Sequence, residues 1–322
     1  MTSFVFDTRD RPKPRYRLNP EDRADEATRK IIGPLLQTVR INVDGVLEDL
    51  DPEFLHDLRV ACRRTRSALS QLKGVLPHGA ADDLVAETKW LGGVTGPCRD
   101  LDVFLLELES YRVQLGNDAR SLTVFERLLR HERCAALGRV QHALRSDRFE
   151  RMLEAWGRLA SSVRNGIDPP EAELPIVDIA GQKVLKAYTK MVKRGTRLAD
   201  PPPPREMHRL RIDAKKLRYL LEFFSSLYPK KTLKQLIKEL KHFQDILGGF
   251  NDAVVQQHYL ASIAEELRNK GSARPDTVAA MSRLADAMTG RQEGYRQSFT
   301  GRFEVFSNRQ SRALYRETFG TT

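Results

Sequence analysis

Cysteine is scarce: the sequence holds three, Cys62, Cys98 and Cys134, with no CxxC pair and an odd total. Neither a disulfide framework nor a zinc site can be built on that spacing, so the expectation is reduced thiols, buried as small hydrophobes, in a cytoplasmic protein. Long apolar runs are missing too. No 18 consecutive apolar residues occur, and the opening MTSFVFDTRDRPKPRYRLNP lacks the apolar core of a signal peptide, so no membrane partner is expected. Aromatic residues make up 7% of the chain, which tells against a single-strand nucleic-acid channel, where bases stack on exposed rings. No carboxylate pair, Ser-His-Asp set or metal-ligand spacing accompanies the basic residues. The reading is therefore non-enzymatic, with no catalytic residue, no metal and no cofactor.

Positive charge and helical periodicity are what the sequence has in excess. A formal charge of +11 asks for a polyanionic partner, but does not by itself choose among nucleic acid, anionic lipid and phosphate. Apolar residues recur at helical spacing almost throughout, while alternating runs bounded by turns are missing, and the fold class read from this is all-α. Proline-rich breaks punctuate the helices at DLDPE (49–53), GIDPPEAELP (166–175) and ADPPPPRE (199–206). They suggest one domain over 18–315 made of two repeats, 18–165 and 174–315, with a linker at 166–173. Short connections favour antiparallel neighbours, so each repeat is expected to be an antiparallel helical bundle, the two related by a pseudo-two-fold.

Residues 56–66 read HDLRVACRRTR and residues 208–218 read HRLRIDAKKLR. They stand 152 positions apart, and between 56 and 103 that gapless offset gives 12 identities in 48 positions, among them His56/His208, Arg59/Arg211, Arg66/Arg218, Pro77/Pro229, Lys89/Lys241, Gly96/Gly248 and Asp100/Asp252. A period this long marks duplicated half-domains. The stretches LGGVTGPCRDLDVF (91–104) and FQDILGGFNDAVVQ (243–256) read as turns. There Gly96 and Gly248 would end one helix, and Asp100 and Asp252 would cap the next or brace a neighbouring Arg. Further helices are expected around 100–115, 119–163, 252–269 and 275–299, and the tail from 300 carries no assignment.

At about 100° per residue, His56, Arg59, Arg63 and Arg66 share an arc of roughly 80°, opposite Leu58, Cys62, Thr65, Leu69 and Leu72. The second copy repeats the division, with His208, Arg211, Lys215 and Arg218 against Leu210, Ala214, Leu217, Leu221 and Phe224; Arg64 and Lys216 broaden the basic arcs. Two more stripes run along Lys183, Lys186, Lys190, Lys193 and Arg197, and along Lys231, Lys234, Lys238 and Lys241. Like charges three or four places apart cost about 0.2–0.5 kcal/mol per pair, so about ten such pairs cost on the order of 2–5 kcal/mol before salt screening. A bound polyanion would relieve that repulsion. Arg offers it two parallel donors, Lys a mobile point charge, and His a donor whose charge follows pH. Val60, Ile212 and Tyr219 edge the basic arcs, which points to the wall of a groove or pore between the halves.

The pattern HxLRVxxRRxRSxL at 56–69, its echo HxLRIxxKKLRY at 208–219, and the LGxxRDLDV-like and LGxxND-like segments resemble the CHAD domain, the conserved-histidine α-helical domain. The resemblance covers about 18–315. It implies a pair of pseudo-symmetric four-helix bundles around a basic cavity that binds inorganic polyphosphate without cleaving it, with polyphosphate granules as a destination. Position by position, it assigns polyphosphate binding to His56, Arg59, Arg63, Arg64, Arg66, His208, Arg211, Lys215, Lys216 and Arg218. Lys89, Lys183, Lys186, Lys190, Lys193, Lys234, Lys238 and Lys241 join them on this sequence's own pattern of stripes. Asp82, Asp83 and Glu87 stand in place of the lysine-rich pattern of 230–241, so the halves are expected to bind unequally. A second reading is a protein that grips tRNA or duplex nucleic acid by its backbone, which needs no stacking rings, and a third, disfavoured by the missing carboxylate set, is an enzyme that processes polyphosphate or nucleotides.

Overall fold

A computed structural model describes residues 14–76, 79–161, 169–270 and 274–320. Pro77 and positions 166–168 of the expected linker lie outside them. Within the described residues the chain is helical with no strand, and the all-α class holds. The first half carries α1 (Ala24–Leu47), α2 (Pro52–Gln71), α3 (Ala80–Leu115), a 3-10 turn (Gly116–Leu122), α4 (Thr123–Leu144) and α5 (Asp147–Ser161). The second carries α6 (Ile176–Gly195), α7 (Pro204–Phe223), α8 (Lys230–Lys270), α9 (Pro275–Ser307) and α10 (Arg309–Phe319).

The duplication is visible in these boundaries. α1 and α6 begin 152 residues apart, and α2 and α7 both begin and end at that offset. Each of the latter opens on a proline, Pro52 or Pro204, whose fixed φ suits a first turn and whose missing N–H has no helical partner to lose there. Asp51 caps α2, its carboxylate accepting the Glu53 N–H at 2.7 Å. Their apolar arcs are buried throughout, from Leu58 to Leu72 in one half and from Leu210 to Phe224 in the other.

Neither glycine-containing stretch is a turn. α3 runs uninterrupted through Gly92, Gly96 and Pro97, and α8 through Gly248 and Gly249. An interior glycine costs a helix about 1 kcal/mol and a proline about 3 kcal/mol. Against that, α3 buries Leu91, Cys98 and Leu101 along the segment, and α8 buries Leu247, Phe250 and Ala253, each large side chain contributing about 1.5–3 kcal/mol. Asp100 and Asp252 therefore sit mid-helix and cap nothing. The helices expected at 100–115 and 252–269 are the second halves of α3 and α8, and the one expected over 119–163 breaks at Arg145 and Ser146. The tail adds α10, capped by Asn308, whose side chain accepts the Ser311 N–H at 2.7 Å.

The halves meet where α2 lies against α7 and α3 against α9. At the junction an isolated antiparallel bridge pairs Arg23 with Pro175. The Ala24 N–H donates to the Leu174 carbonyl at 2.9 Å, and the Ile176 N–H to the Asp22 carbonyl at 2.8 Å. Under the 152-residue offset each of these bonds is the other's equivalent, so a local two-fold passes between Arg23 and Pro175. One continuous core of buried residues spans both halves.

Candidate functional site

α2 and α7 face each other with their basic arcs turned toward the junction. Arg63 Nε donates to the Tyr219 hydroxyl at 2.8 Å, and Gln71 donates to the Lys216 carbonyl at 3.3 Å. Arg63 and Lys215 are offset equivalents, and both lie close to Arg211. Burial, followed by the charges of Arg63 and Arg211, pushes the Lys215 ammonium down to about 7, with Asp252 partly opposing. Three cations here repel one another with too little counter-charge between them.

α3 and α8 supply the flanking walls. Arg59 Nη1 donates to the Gly92 carbonyl at 2.9 Å and to Thr95 Oγ1 at 2.6 Å. Arg211 Nη2 stands 3.7 Å from Asp252 Oδ1, and its Nε is buried without an acceptor among the described residues. Burial lowers the pKa of both guanidiniums, while Asp100 and Asp252 respectively counter it. Of the two roles expected for these aspartates, bracing an Arg is the one the fold allows. The guanidiniums lie over the glycine face of α3, where a Cβ at Gly92 or Gly96 would meet Arg66 Nη1 at 3.8 Å or Arg59 Nη1 at 3.7 Å in ordinary contact. Lys89 lies on the same face of α3, one turn before Gly92, and is exposed. Its equivalent Lys241 precedes Gln244, which accepts from Arg218 Nη1 at 3.4 Å. Lys234 continues that face of α8 and Lys238 flanks it, both exposed.

The two histidines are not alike. His56 is half-buried, and burial together with the nearby Arg99 holds its pKa below the usual imidazole value. His208 is exposed, its Nδ1 3.0 Å from Asn251 Oδ1. Asn251 is the offset equivalent of Arg99, so the rings differ in burial and in the neighbour each meets, a guanidinium at His56 and a side-chain amide at His208. Arg64 and Arg218 are drawn into the seam rather than left free. Both meet Glu222, Arg218 through Nε at 2.7 Å, and the Arg64 guanidinium stands 5.7 Å from the Tyr219 ring centre. Lys216 is exposed at the edge. Arg99, Thr95, Asp252 and Glu222 were not in the expected binding set; of these, Glu222 could have been found as the single acid on the basic arc, four residues after Arg218.

The structure does not bring the α6 lysines to this groove. Asp213 lies about 160° around α7 from Arg211 and Lys215, and α6 packs on that opposite flank. Lys190 Nζ is 3.4 Å from Asp213 Oδ1, Arg194 Nε is 2.9 Å from Asp213 Oδ2, and Lys183 Nζ is 3.1 Å from Glu171. Lys186 and Lys193 are exposed on the outer face of α6. The cysteines divide as well. Cys62 and Cys98 are buried, with burial pushing their thiols up to about 12 and about 11, but Cys134 is exposed because it falls on the outer face of α4. Among the described residues, no group of three or more His, Cys, Asp or Glu converges as a metal site, and no helix is long and apolar enough to cross a membrane.

The family model described as the CHAD domain matches residues 30–261. Among solved structures, the CHAD domain from the plant Ricinus communis is similar with a TM-score of 0.74 at 26% identity, covering 92% of this chain and 97% of that one. PptA from Streptomyces chartreusis shares the fold, with a TM-score of 0.70 at 18% identity over 88% of this chain and 100% of that one. Two uncharacterized proteins of Mycobacterium tuberculosis, MT2285 and Rv2226, are each 28% identical over 214 residues, 65% of this chain. The aligned region spans 40% of the length of those two relatives.

Proposed function

The chain belongs to the CHAD family, and from that premise we propose that the groove between α2, α3, α7 and α8 binds inorganic polyphosphate. The observation that carries this reading is the half-buried cluster of Arg63, Arg211 and Lys215, with Asp252 3.7 Å from Arg211 as its acid, in which burial and the two guanidiniums push the Lys215 ammonium down to about 7. An anion entering the groove restores its charge and relieves all three cations together. A linear polyphosphate presents the same group at every step, which suits cations repeated across a local two-fold: Arg59 with Arg211, Arg63 with Lys215, Arg66 with Arg218, and Lys89 with Lys241. The ring that edges the groove, Tyr219, is buried and has its hydroxyl engaged by Arg63, so it offers no stacking face to a base.

Binding without cleavage is part of the proposal. Carboxylates at the groove serve as counter-ions: Glu222 holds Arg64 and Arg218, and Asp252 faces Arg211. A hydrolase would instead use such groups to hold Mg²⁺ or to activate water. In a cell, this groove would recruit the protein to polyphosphate granules in the cytoplasm.

The test is competition between long-chain polyphosphate and tRNA at two salt concentrations. Polyphosphate is expected to stay bound against tRNA at equal phosphate concentration; displacement by tRNA would transfer the proposal to nucleic acid. Chain length after incubation with Mg²⁺, read on a gel, is expected to stay unchanged, and shortening would make the protein an enzyme.

A further inference from the structure

The outer face of α6 holds a second concentration of unpaired charge, formed only when α10 packs beside it. α10 is anchored by Tyr315, whose ring stacks on Tyr188 at 3.7 Å between centres and 10° between planes, and by Phe319, edge-on to Tyr228 at 4.7 Å. Between the two helices lies a cleft of about 320 Å³, lined by Lys193 and Arg197 from α6 and by Arg312 and Arg316 from α10. Its wall is apolar, made by Leu185, Tyr188 and Val192.

What separates these four cations from their neighbours is that none is paired with a carboxylate: Glu206, which shares the adjoining hollow with Lys193 and Arg197, is taken by Arg194 and Arg209, and Glu239 accepts from the Ser311 hydroxyl. On the other flank of α6, Lys183 has Glu171, Lys190 has Asp213, and Arg194 has Asp213 and Glu206. No acidic residue lines the cleft, and none of its four cations forms an ion pair among the described residues. One of the guanidiniums is also held in place, because Arg312 Nε donates to the Ser307 carbonyl at 2.6 Å. Convergent positive charge in a concavity focuses the field on whatever anion enters. A bare inorganic phosphate would leave the apolar wall unused, whereas a phosphate joined to an apolar or planar body would cover it. The volume falls at the small end of the roughly 300–1,000 Å³ of small-molecule sites.

We propose that the cleft between α6 and α10 is a second anion site, separate from the groove, which takes a small organic phosphate with its charged end on Lys193, Arg197, Arg312 and Arg316 and its body on the apolar wall. Calorimetric titration of the full chain with ATP and with pyrophosphate tests it. Three proteins are compared: the natural sequence, a cleft variant Lys193→Gln/Arg316→Gln, and a groove variant Arg63→Gln/Lys215→Gln. All four substituted side chains lie on the surface or in the groove, and thermal melting checks that each variant is folded. ATP is expected to bind the natural sequence and the groove variant within about twofold of each other, to bind the cleft variant at least tenfold more weakly, and to exceed pyrophosphate at least tenfold. No ATP binding, loss of ATP in the groove variant with retention in the cleft variant, or pyrophosphate equal to ATP would each overturn the proposal. Failure of the polyphosphate reading shows separately, as undiminished polyphosphate affinity in the groove variant.

Discussion

Lys215 is half-buried among like charges in the groove. Arg63 faces it from α2, Arg211 and Arg218 flank it on α7, and Asp252 on α8 is the opposing acid. Its folded pKa of about 7 lies below the roughly 10.4 of an unfolded lysine. Between those values the unfolded chain binds more protons than the folded one, so the stability linked to this residue rises as pH goes from about 7 to about 10. Below pH 7 the folded state carries the charge at full cost. Lys215→Met keeps the bulk and removes the charge; it is expected to raise Tm by a few degrees at pH 6 and by clearly less at pH 9, followed by thermal denaturation across pH. A polyanion reverses the balance by favouring the ammonium. Polyphosphate binding at pH 8 is expected to take up close to one proton, measured from heats in buffers of different ionisation enthalpy, and to weaken from pH 7 to pH 9. Both effects should disappear in Lys215→Met, and their survival there would assign the proton to another group.

At the scale of elements, the seam between α2 and α7 rests on Glu222, which engages Arg64 from across the junction and Arg218 from its own helix. Glu222→Gln leaves two partly buried guanidiniums short of an anion. Stability to urea is expected to fall by about 1–3 kcal/mol, while polyphosphate affinity rises severalfold because the ligand inherits both cations. Adjacent glycines of α8 give a contrast in packing. A Cβ on Gly248 meets nothing within 4 Å, whereas one on Gly249 would fall 2.3 Å from Tyr295 of α9. Gly248→Ala is expected to stabilise by about 0.5–1 kcal/mol through helix propensity, and Gly249→Ala to destabilise by about 1–3 kcal/mol through overpacking, both read from denaturation midpoints. These positions also show what local sequence conveys. The ends of α2 and α7 are legible because Pro52 and Pro204 act locally, but continuity through Gly96 and Gly248 depends on burial against distant helices. α10 spans 11 residues, too few for propensity to sustain, and it exists through the packing of Tyr315 and Phe319. The lysine stripe of α6 is legible as a stripe; which flank of α7 it lies behind is decided by Asp213, a tertiary fact.

For the whole molecule, duplication explains why a site forms at the junction, since a two-fold brings each basic arc opposite its copy. That much is written in the 152-residue offset. The inequality of the halves is written there only in part, because Gly92 stands opposite Gln244 and Arg99 opposite Asn251 without their partners being evident. In the structure, Arg59 spends Nη1 on Gly92 and Thr95 of its own half, while Arg211 has a single distant carboxylate at 3.7 Å and an unmatched buried Nε. Arg211 is therefore the freer donor and Arg59 the more structural one. Counterion release gives a slope of log K against log salt of about −0.7 for each phosphate neutralised on a flexible single chain. Arg211→Gln is expected to make that slope shallower by about 0.7 with little change in melting temperature. Arg59→Gln should move the slope less but lower the melting temperature, since Thr95 and the Gly92 carbonyl lose their donor in a half-buried setting. Equal slopes in the two variants would mean that the halves grip the chain alike, and that Arg59 leaves α3 when the ligand arrives.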